Sequence, residues 1–367
     1  MQLPGEDKPP PGIAFDSDLG NSIDDVLALA LLYGFEARRP PEARLISLSI
    51  TKSNLKAAGF CEAVHRFYNG IANREIPERF RRSEPPPIGL SLDGKMAADT
   101  ALLTGPLSKR DGEGNLLYQH AIEKTTDTAD AAALIRNGFT AQYDQNAVVV
   151  LTGPATNLVQ ALELRGAREI IAAKVRMLVA AAGVYPDGPP EFGIQADIAA
   201  AKKLFAEWPT PIVAVGPGIG QQLPYPASSI ENDFGWTASH PVVDAYRAFQ
   251  PMPYDAPATA LAAALYAVRP GEGYFLLSQP GAITVLDDGR TKFTPSPQGK
   301  HRYLILDPAK KELIQRTYAE FVSAEPPPRE PPRFLRELIE EEKKKEAEKK
   351  LKELQLQEKQ LQEKQPQ

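Results

Sequence analysis

Cysteine and histidine are scarce in this chain. Its 367 residues include one cysteine, Cys61, and four histidines, which excludes a disulfide framework and a thiolate metal site. No apolar run approaches the roughly 20 residues that a membrane-spanning helix needs. The net charge is −5, and basic residues are not concentrated in any one stretch, so nucleic acid is not expected as a partner. The sequence therefore predicts neither a membrane protein nor a nucleic-acid-binding protein.

The two ends of the chain differ in composition from its middle. Residues 1–11 are polar and proline-rich and lack the apolar core of a signal peptide, which is compatible with a cytoplasmic protein and with the mature form of an exported one. The tail after residue 332 is dominated by Glu, Lys and Gln, a pattern that favours a solvated helix over a coiled coil. We expect a flexible arm (1–11), one domain (12–322), and a proline-rich linker with a charged tail (323–367).

Between these ends, buried β-rich runs alternate with helical patterns. Strands and helices at this spacing predict right-handed βαβ units, and hence a three-layer, Rossmann-like α/β fold with an open, mostly parallel sheet and helices on both faces. Residues 71–117 are rich in Pro, Gly and charge and predict long surface loops. The apolar segment from Tyr254 to Val268 predicts a helix. The main predicted strands are 12–15, 43–50, 146–151, 176–181 and 211–216.

Four aspartates follow the first predicted strand within ten residues, and we call residues 16–25 the acidic turn. Asp16 and Asp18 share one face of an extended chain, while Asp24 and Asp25 fall in the first turn of an apolar helix. Helix capping uses one or two of these acids, and the helix dipole offers about 0.3–1 kcal/mol for each. Two like charges about 4 Å apart repel by roughly 4 kcal/mol at an effective dielectric near 20. Some of the carboxylates are therefore protonated, or a cation lies among them, and their hard oxygens suit Ca²⁺ or Mg²⁺.

Ligands of open parallel sheets bind beyond the carboxyl ends of the strands. Asp16 and Asp18 lie at the end of the first predicted strand, and Asn54 follows the end of the second. The sequence therefore predicts that these side chains face one ligand site.

Four motifs occur in a characteristic order along the chain. They are the acidic turn, the run LTGPATNL at residues 151–158, Glu191-Phe192, and Tyr254-Asp255 ahead of an apolar segment. Together they resemble the inosine/uridine-preferring nucleoside hydrolase family over roughly residues 12–322. The two extra residues after Gly20 resemble a bacterial branch of that family. The resemblance implies Ca²⁺-dependent hydrolysis of the bond between ribose and base, with a small nucleoside as the partner and a homo-oligomer as the assembly.

The resemblance also implies a metal site in which oxygen atoms hold Ca²⁺. Asp18 and Asp25 would bind the ion, and Asp18 would also act as the general base. The backbone carbonyl of Thr152 and the side chain of Asp255 would complete the coordination.

The remaining implied roles concern the sugar and the support of the metal ligands. Asp24, Asn54 and Glu191 would bind the ribose hydroxyls. Asp16 and Asn157 would not contact the ligand but would orient the side chains that do.

This sequence departs from the family pattern at two positions. Gly193 stands where longer-known members carry an asparagine, and Tyr254 stands where they often carry a histidine. Two other functions stay open. One is a metal-containing protein that binds a ribosyl ligand with little or no turnover. The other is a haloacid-dehalogenase-like phosphatase with Asp16 as the nucleophile and Asp18 as the acid, although such an enzyme would carry Thr or Val where Leu19 stands.

Overall fold

The computed structural model describes residues 9–77, 87–93, 95–331 and 333–363, so residues 1–8 of the predicted arm lie outside the described residues. Within these ranges, eleven strands form one mixed sheet. The strands are β1 (Gly12–Ser17), β2 (Arg44–Ile50), β3 (Ile88–Leu90), β4 (Ala129–Asp130), β5 (Ala147–Leu151), β6 (Val175–Ala180), β7 (Ile212–Ala214), β8 (Phe275–Leu277), β9 (Gly281–Val285), β10 (Thr291–Pro295) and β11 (His301–Leu306).

The order of the strands places a topological switch point at β1. The order is β10-β9-β11-β7-β6-β5-β1-β2-β3-β4, with β8 also paired to β11. All neighbours from β4 to β11 along this order are parallel, whereas β8, β9 and β10 pair antiparallel. The chain leaves β1 toward β2 on one side and later returns to β5 on the other side. A crevice therefore opens at the carboxyl ends of β1 and β5, where such sheets bind ligands.

Helices cover both faces of this sheet, which confirms the predicted three-layer fold. The helices of this domain are α1 (Ile23–Ala37), α2 (Leu55–Ala72), α3 (Ala101–Ser108), α4 (Ala131–Thr140), α5 (Thr156–Glu163), α6 (Ala167–Lys174), α7 (Phe192–Ala196), α8 (Ile198–Glu207), α9 (Pro217–Gln222), α10 (Ala227–Asn232), α11 (Pro241–Phe249), α12 (Thr259–Val268) and α13 (Lys311–Val322). A separate helix, α14 (Arg333–Glu363), follows in the tail.

The alternation of side chains along the strands divides the core into two clusters. Ile13 and Phe15 pack with α1, α2, α11, α12 and α13 on one face, and Ala14 packs with α4, α5, α6 and α8 on the other. Helix α1 is buried nearly all round because it packs against β2, α11, α12 and α13. Its uniformly apolar sequence follows from that position.

Two predictions about local structure are wrong. Residues 71–117 were expected to be loops, but their described part contains the buried strand β3 and helix α3. Strand β3 is three residues long and pairs with β2 and β4, so it is too short to produce a recognisable pattern. The helix expected from Tyr254 begins only at Thr259, because the backbones of Tyr225 and Ala256 form a β-bridge with two hydrogen bonds.

The described residues fall into two compact units. Of the described residues, the larger unit takes in 9–68, 87–93 and 95–326, and the smaller one takes in 69–77, 327–331 and 333–363. In the smaller unit, Ile76, Leu335 and Ile339 form a separate apolar cluster. Ion pairs spaced four residues apart, such as Glu341–Lys345, lie along the exposed surface of α14. Among the described residues, no helix is both long enough and apolar enough to cross a membrane.

Candidate active site

A cavity of about 370 Å³ lies at the switch point of the sheet. Both polar and apolar residues line this cavity. The polar residues are Asp18, Asn21, Ser22, Asp24, Asp25, Thr152, Glu191 and Thr259. The remaining lining residues are Ala181, Ala182, Phe192, Gly193, Val215, Pro217 and Ala260.

The backbone of the acidic turn is held in an unusual conformation. Gly20 has φ +108°, a region that residues with a Cβ atom rarely occupy. Ser22 then caps α1, because its Oγ accepts a hydrogen bond from the Asp24 amide at 3.2 Å. The turn that follows β5 packs directly on this segment. A Cβ atom on Gly153 would lie 2.5 Å from the Asp18 nitrogen, so glycine is required for this approach.

Asp16 is buried behind the cavity and does not line it. Its Oδ1 accepts hydrogen bonds from Ser49 Oγ at 2.6 Å and from Asn157 Nδ2 at 2.9 Å. Ser49 is the register partner of Asp16 on β2, so the sheet itself sets this contact. Asp16 is 1% exposed, which argues against the phosphatase hypothesis because a nucleophile must reach its substrate. The structure thus brings Asp16 and Asn157 together directly behind the acidic turn.

Asp18 and Asp25 both line the cavity, and each affects the ionisation of the other. Burial raises the pKa of Asp18 to about 6, and a hydrogen bond from Asn21 Nδ2 opposes this rise. Burial, followed by the charges of Asp18 and Asp24, raises the pKa of Asp25 well above its ordinary value. The repulsion expected from the sequence is therefore present, and it favours either protonation or a bound cation.

Asp24 lines the cavity and also caps a distant helix. Its Oδ2 accepts a hydrogen bond from the Ala260 amide at 2.7 Å, and its Oδ1 accepts one from the Leu261 amide at 3.3 Å. The N-cap residue of α12, Ala258, has no side chain able to do this. Burial raises the pKa of Asp24 to about 7, while these amide hydrogen bonds lower it.

Glu191 lines the cavity at the start of α7. Its carboxylate accepts hydrogen bonds from the amides of Gly193 at 2.8 Å, Ile194 at 3.2 Å and Gly183 at 3.3 Å. Its neighbour Phe192 is 59% exposed at the cavity wall. Glu191 therefore closes one end of α7 and fixes where Phe192 lies.

Two predicted site residues lie elsewhere. Asp255 is exposed, and its Oδ1 accepts a hydrogen bond from the amide of Ala227, the first residue of α10, at 2.8 Å. Asn54 is buried, and its side chain bonds the Ala97 carbonyl, Asp99 and the Lys56 amide. Neither belongs to the described lining of the cavity. The roles of Asp255 at the metal and of Asn54 at the sugar therefore stay predictions, and the structure does not bring these two side chains together with the residues that line the cavity.

The structure adds two residues that the sequence reasoning did not select. Asn21 lines the cavity and bonds Asp18, and the buried Lys52 bonds Asn21. Lys52 lies two residues after the end of β2, at the carboxyl edge of the sheet. This position in the sequence could have indicated that Lys52 lies near the site.

The oxygen donors of the cavity suit a hard cation. Among the described residues, no group of three or more His, Cys, Asp or Glu side chains is arranged to hold a metal ion. Asp18, Asp25 and Thr152 nevertheless line one cavity with oxygen donors alone. Calcium accepts carboxylates, carbonyls, water and sugar hydroxyls. This donor set therefore fits an ion held by few protein groups and completed by water or substrate.

Comparisons with known proteins agree with this geometry. The family model of the inosine-uridine preferring nucleoside hydrolases matches residues 13–304. No curated protein sequence matches the chain. Solved structures with a similar fold include a plant nucleoside hydrolase (20% identity, TM-score 0.57, covering 86% of this chain and 100% of that one). An inosine-uridine preferring nucleoside hydrolase from Bacillus anthracis has 14% identity and a TM-score of 0.58, covering 85% and 99%. A purine-preferring ribonucleoside hydrolase from Gardnerella vaginalis has 19% identity and a TM-score of 0.57, covering 85% and 98%.

Proposed function

This chain belongs to the inosine-uridine preferring nucleoside hydrolase family, and we propose that it hydrolyses the N-glycosidic bond of ribonucleosides with the help of Ca²⁺. The products are ribose and a free nucleobase. The observation that carries the proposal is the cavity at the switch point, whose lining combines carboxylates with apolar groups. The carboxylates can accept hydrogen bonds from the hydroxyls of a ribose, and the apolar groups can pack against a nucleobase.

The size of the cavity agrees with a nucleoside. Its volume of about 370 Å³ lies in the range of roughly 300–1,000 Å³ that is typical of small-molecule sites. Phe192 presents an exposed aromatic ring to this space, and aromatic rings stack favourably on flat heterocycles.

Asp18, Asp25 and the backbone carbonyl of Thr152 are the groups that would hold Ca²⁺. The family is metal-dependent, and the oxygen donors of this cavity fit a hard cation. When bound, the ion supplies Lewis-acid chemistry that lowers the pKa of a water molecule and polarises sugar hydroxyls. The raised pKa values of Asp18 and Asp25 support this assignment, because a cation lowers the free energy of the ionised carboxylates.

Asp18 is the proposed general base. Its carboxylate lines the cavity, and its pKa of about 6 leaves it mostly ionised at neutral pH, ready to accept a proton from water. Cleavage of the glycosidic bond builds positive charge on the sugar ring. The carboxylates of Asp24, Asp25 and Glu191 also line the cavity and stabilise that charge electrostatically.

Asp24 and Glu191 are the proposed ribose ligands. Each carboxylate already accepts backbone amides, but two carboxylate oxygens offer about four lone-pair sites. Both side chains therefore keep acceptor capacity for a hydroxyl group. Asp16 and Asn157 support the acidic turn from behind, through the hydrogen bond from Asn157 Nδ2 to Asp16 Oδ1.

The test is release of free ribose from a panel of purine and pyrimidine ribonucleosides. Release that requires Ca²⁺ and stops with a chelator supports the proposal and identifies the base. Release that the chelator leaves unchanged contradicts the role of the metal. If no nucleoside is cleaved while Ca²⁺ still raises the melting temperature, the protein binds a ribosyl ligand without turning it over.

A further inference from the structure

Lys52 is a buried cation beside the acidic turn. It is 1% exposed and follows the last residue of β2 by two positions. Removing an ammonium group from water costs several kcal/mol unless the protein compensates the charge. Its Nζ donates to Asn21 Oδ1 at 2.9 Å and to the Met96 carbonyl at 2.7 Å. Both acceptors are neutral. Burial lowers the pKa of Lys52, and the charges of Asp18 and Asp99 oppose this decrease.

Asn21 connects Lys52 to Asp18. It lines the cavity, and its Nδ2 donates to Asp18 Oδ2 at 2.9 Å and contacts Met96 Sδ at 3.0 Å. A second hydrogen bond, from the Asn21 amide to the Asp18 carbonyl at 3.2 Å, fixes the backbone of the turn. The side chain of Asn21 is therefore the link between the buried cation and the proposed base.

The chemistry of the three groups sets the orientation of the amide. An ammonium group has donors and no acceptor, and an ionised carboxylate has acceptors and no donor. The Asn21 amide can satisfy both neighbours in one orientation alone, with Oδ1 toward Lys52 and Nδ2 toward Asp18. If Lys52 were replaced by an apolar residue, nothing would oppose a flip of the amide. The flipped amide would place Oδ1 against the carboxylate of Asp18, where the two oxygens repel.

Resting on the hydrolase function proposed above, we propose that Lys52 is a positioning residue that acts through Asn21 to hold the carboxylate of Asp18 in its working orientation. Lys52 does not line the cavity, so it does not touch the substrate.

Met96 packs against both Lys52 and Asn21. It has φ +53°, which is uncommon for a residue with a side chain. Its carbonyl accepts a hydrogen bond from Lys52, and its sulfur contacts Asn21. Met96 therefore contacts both Lys52 and Asn21. Its neighbourhood is tied to the acidic turn by a hydrogen bond from Thr100 Oγ1 to the Gly20 carbonyl at 2.6 Å.

A double-mutant cycle tests this coupling. The variants are Lys52→Met, Asn21→Ala and the double variant, with Lys52→Gln as the conservative change because glutamine retains a donor. Lys56→Met is the matched control, since Lys56 is half-exposed and binds Asp99 outside the cavity. Each variant is measured for kcat, KM, melting temperature and the concentration of Ca²⁺ that gives half of the Ca²⁺-induced rise in melting temperature.

We expect Lys52→Met and Asn21→Ala each to lower kcat by about tenfold to a hundredfold, with KM little changed. The double variant should fall no further than the worse single variant, because the two residues act through one contact. Lys52→Gln should retain more activity than Lys52→Met at a similar melting temperature, and Lys56→Met should behave as the wild type.

Additive losses in the double variant, or full activity of Lys52→Met, would overturn the inference. If the wild type cleaves no nucleoside, the hydrolase function fails instead. The coupling between Lys52 and Asn21 is then judged on the Ca²⁺ midpoints of the variants. If the two single variants weaken Ca²⁺ binding and the double variant weakens it by less than their sum, the positioning of Asp18 is supported. Unchanged midpoints refute it.

Discussion

The buried carboxylates of the acidic turn make the stability of the metal-free protein fall as the pH rises. Burial raises the pKa of Asp16 and Asp24 from 3.8 to about 7 and that of Asp18 to about 6. Above pH 4 the unfolded chain releases these protons while the folded chain still holds them. The free energy of unfolding therefore declines as the pH rises through the window from about 4 to 7.

The magnitude follows from Asp16 and Asp24 alone. A pKa that rises from 3.8 to about 7 removes about 2 kcal/mol of stability per group between pH 5 and pH 7. The two groups together remove about 4 kcal/mol, which corresponds to a decrease in melting temperature of about 6 °C for a domain of this size.

Thermal unfolding from pH 5 to pH 8, with chelator and with Ca²⁺, measures this effect. With chelator the melting temperature should be highest near pH 5. With Ca²⁺ the trend should reverse, because the ion binds the ionised carboxylates and competes with protons. Asp16→Asn should make the slope measured with chelator shallower, because it removes one of the titrating carboxylates. Asp288→Asn is the control, because an exposed carboxylate with a lowered pKa titrates below this window.

A melting temperature that is flat or rises with pH in the presence of chelator would refute this reasoning. It would mean that the carboxylates of the acidic turn are ionised without a cation, so that burial would not be the dominant influence on their pKa values.

Three further predictions concern individual residues. Asp18→Asn should lower kcat by about a hundredfold or more, because it removes the base, while circular dichroism shows an unchanged fold; retention of kcat would exclude Asp18 as the base. Asp24→Ala should lower the free energy of unfolding in urea by about 1–3 kcal/mol, since it leaves two amides at the start of α12 without a partner; unchanged stability would show that water replaces the cap. Ile339→Asp should reduce the helical signal of the tail at 222 nm. Among the described residues, α14 packs few apolar side chains besides those of the cluster with Ile76 and Leu335. An unchanged spectrum would show that the Glu–Lys pairs suffice to keep the tail helical.

The acidic turn shows how much of the site could be predicted from local sequence. All four aspartates were expected to converge because a strand end and a helix start bring side chains together over a few residues. Asp18, Asp24 and Asp25 line the cavity, whereas Asp16 does not. The strand periodicity and the spacing of strands and helices predicted the parallel sheet in the same way. These features depend on residues that are near one another in the chain.

The positions of Asp255 and Asn54 could not be predicted from local sequence. The motif around Asp255 was interpreted as the start of a helix, but a backbone bridge between Tyr225 and Ala256 delays that start. The displaced carboxylate then caps α10. Asn54 bonds a loop some 40 residues away in the chain. Each outcome depends on a partner that no local pattern reveals.

Periodicity and residue type were enough to predict the class of fold and the position of the acidic turn. They also indicated that this turn offers hard oxygen donors to a ligand. Only the packed fold shows which carboxylates accept hydrogen bonds from backbone amides and which of them line the cavity. Asp24 caps a helix that begins 235 residues later, and Lys52 is buried against Asn21 across two strand ends. Such contacts arise when a sheet sets distant segments side by side, and their free energies depend on burial that only the packed fold creates.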